Sequence, residues 1–297
     1  MQFGIMEMQI SALLPAGSSP AEVMAQVVNF DHAGHVRKLV SAGFKTIELG
    51  GDLVLFFPNS YNQASIDHLA ALKNELGLTY TLHLPLWSVE PSTLLTSVRQ
   101  GSVQAIIDSI NATRPLEPEV YVLHATGALA AEFYHMQLPE LARGLILKQF
   151  QANALASLKT ILSETGLPSR RLAIETIEFP FDLMFEMAES LDLSICLDTG
   201  HVLVGFSGPI DFFETVSHCL PRLAEVHLHD GPAFSKTHQL GYGKDHQPLG
   251  KGDLDVPRFL QALEQGHFNG PVIFELGIQQ ALSSLEVVKA LRPQYFA

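Results

Sequence analysis

The chain has 297 residues, of which 47% are apolar, enough for one large domain or two smaller ones. Its formal net charge is −13 with only 18 lysines and arginines, which argues against a nucleic-acid partner, because such proteins usually present a basic surface. Two cysteines, Cys196 and Cys219, do not indicate a disulfide scaffold and favour a reducing, cytoplasmic location. We see no signal peptide, and no apolar run approaches the roughly 20 residues that a membrane helix needs.

Short apolar runs alternate with segments of helical periodicity along the whole chain. A weak first strand is predicted over residues 3–11, and the later strands are expected to end at residues 49, 83, 124, 175, 198, 227 and 275. Helical patterns separate them, and the clearest cover 31–42, 103–110, 139–164, 181–191, 210–219, 256–265 and 279–291. Another helix carries Leu69, Leu72 and Leu76, and Gly77 is expected to end it. Parallel strands buried on both faces form such apolar runs, so we predict one (β/α)8 TIM barrel over residues 1–297.

Several predicted strands end in a side chain that can bind a metal. These residues are His83, His124, Glu175, Asp198, His227 and Glu275. The carboxyl ends of barrel strands meet at one mouth, where the active sites of such barrels lie. Taken singly, each residue is explained as a hydrogen-bonded histidine, an ion-pair partner or a helix cap. Crowded together they would leave charges uncompensated unless a metal is bound, and imidazole with carboxylate suits Zn²⁺, Mn²⁺ or Fe²⁺.

Residues two positions before these strand ends should form the next layer inside the barrel, since they share a strand face. They are Thr81, Ala173, Cys196, Glu225 and Ile273. Glu225 is the only charged member, and we expect it to orient a histidine ligand. His229 follows His227 on the same face and is expected to support the site or to face the substrate.

The segment 246–255 is the second signature, and it follows the seventh predicted strand. Gly250 and Gly252 allow the backbone to approach a ligand closely, and TIM barrels often bind phosphate in this region. Two loop glycines alone mean little. The chain has no glycine-rich dinucleotide fingerprint and no P-loop.

Taken in order, these residues and motifs resemble the xylose isomerase-like, AP endonuclease family 2 barrels. The motif set includes Asp-x-x-His over 198–201, His-x-x-Asp over 227–230 and Leu-Gly-x-Gly over 249–252. In the sugar isomerase and epimerase branch, the resemblance implies one divalent metal held by Glu175, Asp198, His227 and Glu275. The two glutamates would double as acid and base, and His201 would contact the sugar.

The endonuclease IV branch implies three zinc ions. One would bind His83, His124 and Glu175. Glu175 would bridge to a second ion with Asp198, His227 and Glu275. The third would bind His201, His246 and an aspartate two residues before that histidine.

This sequence has Lys244 where that aspartate is expected, and Asp245 comes one place later. Either the loop shifts so that Asp245 serves, or the third site is weak or empty and Lys244 supplies positive charge to a phosphate. His246 favours the hydrolase branch. The segments 79–86 and 113–124 also resemble the cobamide-remodelling phosphodiesterases, whose substrate is a bulky corrinoid.

From these patterns we predict a metal-dependent hydrolase of a small-molecule phosphodiester, with a cobamide nucleotide loop as the narrower guess. Two or three divalent ions are expected, Zn²⁺ first and Mn or Fe as alternatives. The predicted catalytic residues are Glu175, Glu275 and His201, and the predicted substrate-binding residues are His229, Lys244, Gly250 and Gly252. The alternative is a single-metal sugar or sugar-phosphate isomerase or epimerase. DNA repair and a non-catalytic sugar-binding barrel rank lower. We expect no nucleic-acid or membrane partner, and the oligomeric state stays open.

Overall fold

The computed structural model describes residues 1–8, 13, 17 and 19–296. Its centre is a closed barrel in which neighbouring strands are parallel and follow chain order. The strands are β1 Gln2–Met6, β2 Thr46–Gly50, β3 Thr79–His83, β4 Tyr121–Leu123, β5 Leu172–Glu175, β6 Ser194–Asp198, β7 Leu223–His227 and β8 Pro271–Phe274. Pairing of β1 with β8 closes the barrel. The predicted (β/α)8 fold is therefore confirmed.

The α-helices of the described residues surround this barrel. They are α1 Pro20–Val28, α2 His32–Ser41, α3 Gln63–Leu76, α4 Thr96–Thr113, α5 Ala128–His135, α6 Glu140–Thr165, α7 Phe181–Ser190, α8 Thr199–Leu203, α9 Phe212–Cys219, α10 Phe234–Thr237, α11 Val256–Gln265 and α12 Ile278–Leu291. Gly77 ends α3, as predicted, and does so in the left-handed conformation, with a φ of 64°. Within the described residues, no helix combines the length and apolar character needed to span a membrane.

Two parts of the N-terminal region differ from the sequence prediction. The first strand ends at Met6, and residues 9–11 of the predicted strand lie outside the described residues. Helix α1 was not predicted, although Ser19 and Glu22 form a capping box at its start. The Ser19 hydroxyl accepts a hydrogen bond from the Glu22 backbone N–H, and the Glu22 carboxylate accepts one from the Ser19 backbone N–H. These bonds satisfy N–H groups that have no partner within the helix. That local signal could have revealed the helix.

The core has one layer outside the strands and one inside the barrel. Outside, helix α11 buries Val256, Phe259, Leu260 and Leu263, which share one helical face. Inside, Val120, Val122, Ala173 and Cys196 form a separate small cluster. Burying each valine, leucine or phenylalanine side chain of these layers stabilises the fold by about 1.5–3 kcal/mol. The inner cluster forms the floor under the strand-end residues.

The loop after β2 lies at the barrel mouth, where Gly51 and Asp52 line the cavity over the strand ends. It begins with a short 3-10 helix, Gly51–Leu55. The Asp52 carboxylate accepts hydrogen bonds from the backbone N–H groups of Leu86 and Trp87 at 2.8 and 3.0 Å. These bonds tie the loop after β2 to the loop after β3, so both contribute to one wall of the mouth.

Candidate metal centre

Residues at the ends of six strands converge at one end of the barrel. Five groups of possible ligands form among the described residues, and within each group the ligand atoms lie within 4.8 Å of one another. The three groups that together contain the predicted ligands are His83, His124 and Glu175; Glu175, Asp198, His227 and Glu275; and His201, Asp245 and His246. Every predicted metal ligand belongs to at least one of them.

The central group contains Glu175, Asp198, His227 and Glu275, and all four residues are buried. The Nδ1 atom of His227 lies 3.5 Å from Glu175, 3.9 Å from Asp198 and 3.4 Å from Glu275, measured to carboxylate oxygens. Nδ1 has no hydrogen-bond partner among the described residues, although it is buried. A buried lone pair facing three carboxylates is an arrangement that a divalent cation would satisfy. The residues present therefore fit a metal ion.

The second group is built on Glu175. Its Oε2 atom lies 3.0 Å from Nε2 of His83 and 2.9 Å from Nε2 of His124. Nδ1 of His83 lies 2.9 Å from the Leu84 carbonyl. In the neutral tautomer that donates to this carbonyl, Nε2 is free to bind a metal.

These neighbours stabilise Glu175 as an anion. Burial raises the pKa of Glu175, but the nearby histidines, His124 and His227 first, outweigh burial and hold it well below its ordinary value. Burial likewise lowers the pKa of His83, but the hydrogen bond to Glu175 outweighs it and raises the pKa to about 9. A divalent ion would compete with protons for these histidines.

The third group depends on the loop after β7. Nδ1 of His246 lies 2.8 Å from Oδ2 of Asp245, and Nε2 of His201 lies 3.7 Å from the same oxygen. The loop therefore places Asp245 beside both histidines, which favours the first of the two alternatives drawn from the sequence. Burial lowers the pKa of His246, but Asp245 and Glu275 outweigh burial and raise it to about 11.

Helix α8 sets the position of His201 and Asp198. Asp198 ends β6 and caps this helix, because its Oδ1 atom accepts a 2.7 Å hydrogen bond from the His201 backbone N–H. The His201 Nδ1 atom lies 3.1 Å from the Thr176 carbonyl. Donation to that carbonyl leaves Nε2 facing Asp245. The Asp-x-x-His motif thus forms the start of helix α8. It places one candidate ligand, Asp198, at the N-cap and the other, His201, within the helix.

His229 lies behind these ligands. Its Nε2 atom is 2.8 Å from Oδ2 of Asp198, and its ring stacks on His246 with centroids 4.2 Å apart. The side chain is fully buried. Of the two roles expected for His229, support of a ligand matches these contacts better than contact with substrate, and its role stays a prediction.

The predicted substrate-binding residues of the loop after β7 lie apart from the ligand groups. Lys244 is exposed and, with Gly252, lines a separate surface cavity of about 270 Å³ that contains none of the metal-ligand candidates. The backbone N–H groups of Gly250 and Gly252 donate to Oδ2 of Asp230 at 2.9 and 3.0 Å. The Asp230 carboxylate thus occupies the two donors that we expected to approach a ligand. Their role in substrate binding stays a prediction without support from these contacts.

We expected Glu225 to orient a histidine ligand, but Glu48 lies closer to His227. Nε2 of His227 lies 3.1 Å from Oε1 of Glu48 but 3.9 Å from the nearest Glu225 oxygen. Glu225 instead accepts a 3.0 Å hydrogen bond from the Thr81 hydroxyl, in the layer predicted for both. Burial, and next the charge of Glu48, raise the pKa of Glu225 well above its ordinary value, which favours its protonated form. Glu48 is a charged residue within the apolar strand β2, and this pattern could have indicated that it has a role at the site.

A cavity of about 340 Å³ opens over the ligand groups. Glu175, Glu275 and His201, the predicted catalytic residues, line it together with other ligand candidates and with Gly51, Asp52 and Trp87. The volume suits a small molecule.

The comparisons with known proteins agree with this fold. The family model for xylose isomerase-like TIM barrels matches residues 36–292. An uncharacterized protein of Methanocaldococcus jannaschii is 22% identical over 238 residues, which cover 76% of this chain and 74% of that protein.

Solved structures of epimerases have a similar fold at low sequence identity. A D-tagatose 3-epimerase-like protein has a TM-score of 0.72 and 19% identity, with full coverage of both chains. D-psicose 3-epimerase of Clostridium cellulolyticum has a TM-score of 0.69 and 14% identity, covering 99% of each chain. The 3-keto-D-glucoside 4-epimerase of E. coli has a TM-score of 0.67 and 15% identity, covering 98% of this chain and 99% of that one. With the family match across most of its length, the chain belongs to the xylose isomerase-like TIM barrel family.

Proposed function

We propose that this protein is a divalent-metal-dependent isomerase or epimerase of a small sugar or sugar derivative. The observation that carries the proposal is the buried central group, in which Glu175 and Glu275 approach the same point with Asp198 and His227. The similar structures of an epimerase-like protein and of an epimerase support it, and they favour this alternative over the hydrolase that the sequence suggested first.

Two glutamates on different strands suit proton transfer next to a carbonyl. Burial raises the pKa of Glu275, but His227 and His246 outweigh burial and hold it well below its ordinary value, as happens for Glu175. Both residues are therefore anions, the form that can accept a proton. One would remove the proton from the carbon beside the carbonyl, and the other, after taking up a proton from solvent, would return it, to the opposite face in an epimerase. A metal ion held by the central group would polarise that carbonyl.

His201 is placed to contact the substrate. Its side chain lines the cavity over the central group and is only slightly exposed. Nδ1 lies 3.3 Å from Glu175 and Nε2 lies 3.7 Å from Asp245, so the ring is held between two carboxylates. We expect it to orient a sugar hydroxyl beside Glu175.

A second candidate is the hydrolysis of a small-molecule phosphodiester, including the cobamide nucleotide loop. The specific observation that favours it is the presence of three ligand groups where one metal needs only the central group. Two or more ions would generate hydroxide near neutral pH and neutralise phosphoryl charge. His83 and His124 would then be essential metal ligands.

One assay separates the two functions. The Zn²⁺- or Mn²⁺-loaded protein is incubated in deuterated water with a ketose panel, with a bis-aryl phosphodiester and with a corrinoid carrying its nucleotide loop. We expect deuterium to enter at least one sugar while both diesters survive. Cleavage of a diester without deuterium incorporation would replace the isomerase with the hydrolase.

The variants His83→Ala and His124→Ala test the same choice. The proposed isomerase should keep its exchange chemistry in both, with weaker substrate binding at most. The hydrolase should lose at least about a hundredfold in turnover, since losing a metal removes several kcal/mol of charge stabilisation.

A further inference from the structure

A second, larger cavity adjoins the metal centre. It has a volume of about 600 Å³ and is bounded by the loop after β3, the start of α4 and the segment around α5. Leu86, Trp87, His124 and His201 line both this cavity and the one over the ligand groups. A ligand whose reacting part lies beside Glu175 can therefore extend into the larger cavity without leaving the protein surface. We call this larger cavity the side cleft.

The walls of the side cleft are mainly apolar. Trp87, Val89, Leu95, Val98, Ile177 and Phe206 are among the lining residues. Trp87 is 55% exposed and Leu95 is 67% exposed, although both are large apolar residues. Scattered exposed apolar residues are normal, but neighbours on the wall of a concave cleft mark a binding surface.

Two carboxylates, Glu90 and Glu178, line the side cleft, and the buried Oε1 atom of Glu178 has no hydrogen-bond partner among the described residues. Glu90 accepts hydrogen bonds from the backbone N–H groups of Gly127 and Leu129 at 2.9 and 3.2 Å. Glu178 lies 3.5 Å from Nε2 of His135. Among the described residues, no lysine or arginine lines either cavity. An anionic group such as phosphate would meet two carboxylates and no lysine or arginine in the side cleft, whereas a neutral apolar group finds matching walls.

We infer that the substrate is a sugar derivative carrying a bulky, uncharged apolar substituent, which binds in the side cleft. The inference rests on the proposed function only in taking the reacting part of the substrate to be a sugar. A free hexose would leave the apolar walls in water, and it would gain nothing from them. An apolar substituent would displace that water and contribute binding energy away from the reacting carbon.

The chain offers a built-in reporter for this binding. Trp87 is the only tryptophan of the sequence, so the intrinsic tryptophan fluorescence arises from the wall of the side cleft. Zn²⁺-loaded protein is titrated with methyl and cyclohexyl β-glycosides of glucose, galactose and mannose, which are transparent at the excitation wavelength. For at least one sugar, we expect the cyclohexyl glycoside to bind at least about tenfold more tightly, because it buries several more CH₂ groups.

Two substitutions test whether the preference for cyclohexyl over methyl glycosides arises from the side cleft. Leu95→Asp places a charge on its wall, and aspartate suits this position because Leu95 is the residue that precedes helix α4. The matched control Leu141→Asp changes a leucine on α6 that is 78% exposed and does not line the cleft. The preference should disappear in Leu95→Asp and persist in Leu141→Asp.

Equal affinity for methyl and cyclohexyl glycosides, or no binding of any of the six, would overturn this inference. A preference lost equally in both variants would overturn it too. Binding needs no turnover, so a cyclohexyl preference without deuterium exchange would remove the proposed isomerase and leave the side cleft assigned. Deuterium exchange on free ketoses without a preference for the cyclohexyl glycosides would support the proposed isomerase and overturn the assignment of the side cleft.

Discussion

The imidazole of His227 lies with Nε2 3.1 Å from the carboxylate of Glu48, and the two residues come from strands that are not neighbours in the barrel. Donation from Nε2 to Glu48 fixes the tautomer in which Nδ1 faces Glu175, Asp198 and Glu275. Oxygen atoms of Glu48 and Glu225 are both buried without a hydrogen-bond donor among the described residues. A proton shared between the two carboxyls would satisfy both atoms, which agrees with the raised pKa of Glu225.

Replacing Glu48 should therefore weaken metal binding without removing a ligand. Glu48→Gln removes the negative charge that orients His227, and we expect about 10–100-fold lower Zn²⁺ affinity. Glu225→Gln is the matched control, because a neutral amide replaces a neutral acid there. Competition with a chromophoric chelator measures both affinities, and equal losses in the two variants would contradict the assignment.

Metal stoichiometry should respond differently to Glu175 and His201. Glu175 belongs to two of the ligand groups, so Glu175→Ala should lose every ion that either group holds. His201 contributes to one group, so His201→Ala should lose at most one equivalent. Elemental analysis of the purified proteins measures this. A single ion in the unaltered protein that stays at full occupancy in Glu175→Ala would disprove the central group as the binding site.

A second buried ion pair should control stability as a function of pH. Oε2 of Glu7 lies 2.6 Å from Nε2 of His32, and Oε1 accepts hydrogen bonds from Gly50 N–H and the Tyr61 hydroxyl. Burial raises the pKa of Glu7, but His32 outweighs it and lowers the pKa below 4.5. Burial lowers the pKa of His32, but Glu7 outweighs it and raises the pKa above 6.5.

The signs of these shifts define the pH window. The contribution of Glu7 is present above pH 4.5 and is lost as the pH falls through its folded-state pKa. The contribution of His32 is present below pH 6.5 and is lost as the pH rises through its folded-state pKa. His32→Gln should therefore cost about 3 kcal/mol of unfolding free energy between these values, and less on either side.

Urea unfolding at several pH values measures this window. Arg37→Gln is the control, since Arg37 forms an exposed ion pair with Glu75 that should contribute little. A penalty for His32→Gln that does not vary with pH would show that the charge of the pair is irrelevant.

Asp230 should hold the loop after β7 in place. Its carboxylate accepts hydrogen bonds from the N–H groups of Gly250, Gly252 and Leu254. Asp230→Asn should destabilise the fold by about 2 kcal/mol and speed amide hydrogen exchange at these positions, because an amide group replaces one acceptor oxygen. Asp255→Asn is the control, since Asp255 caps α11 and asparagine caps equally well. Unchanged exchange in Asp230→Asn would contradict this role.

The sequence by itself determined the strand order, most of the longer helices between the strands and the ligand candidates at the strand ends. Apolar runs ending in His83, Glu175 or Asp198 are local patterns, and the carboxyl ends of parallel barrel strands always meet at one mouth. The stop of helix α3 at Gly77 was also local, because a left-handed residue ends a helix wherever it occurs. These features depend on residues close in sequence.

Tertiary structure alone decided which partners these residues meet. Glu48 and His227 are 179 positions apart, so only closure of the barrel brings Glu48 nearer than Glu225. The path of the loop after β7 places Asp245 beside His201, and the Asp230 side chain takes the N–H groups of the loop glycines. Hydrogen bonds at about 3 Å depend on the exact packing of distant segments, which no local periodicity specifies.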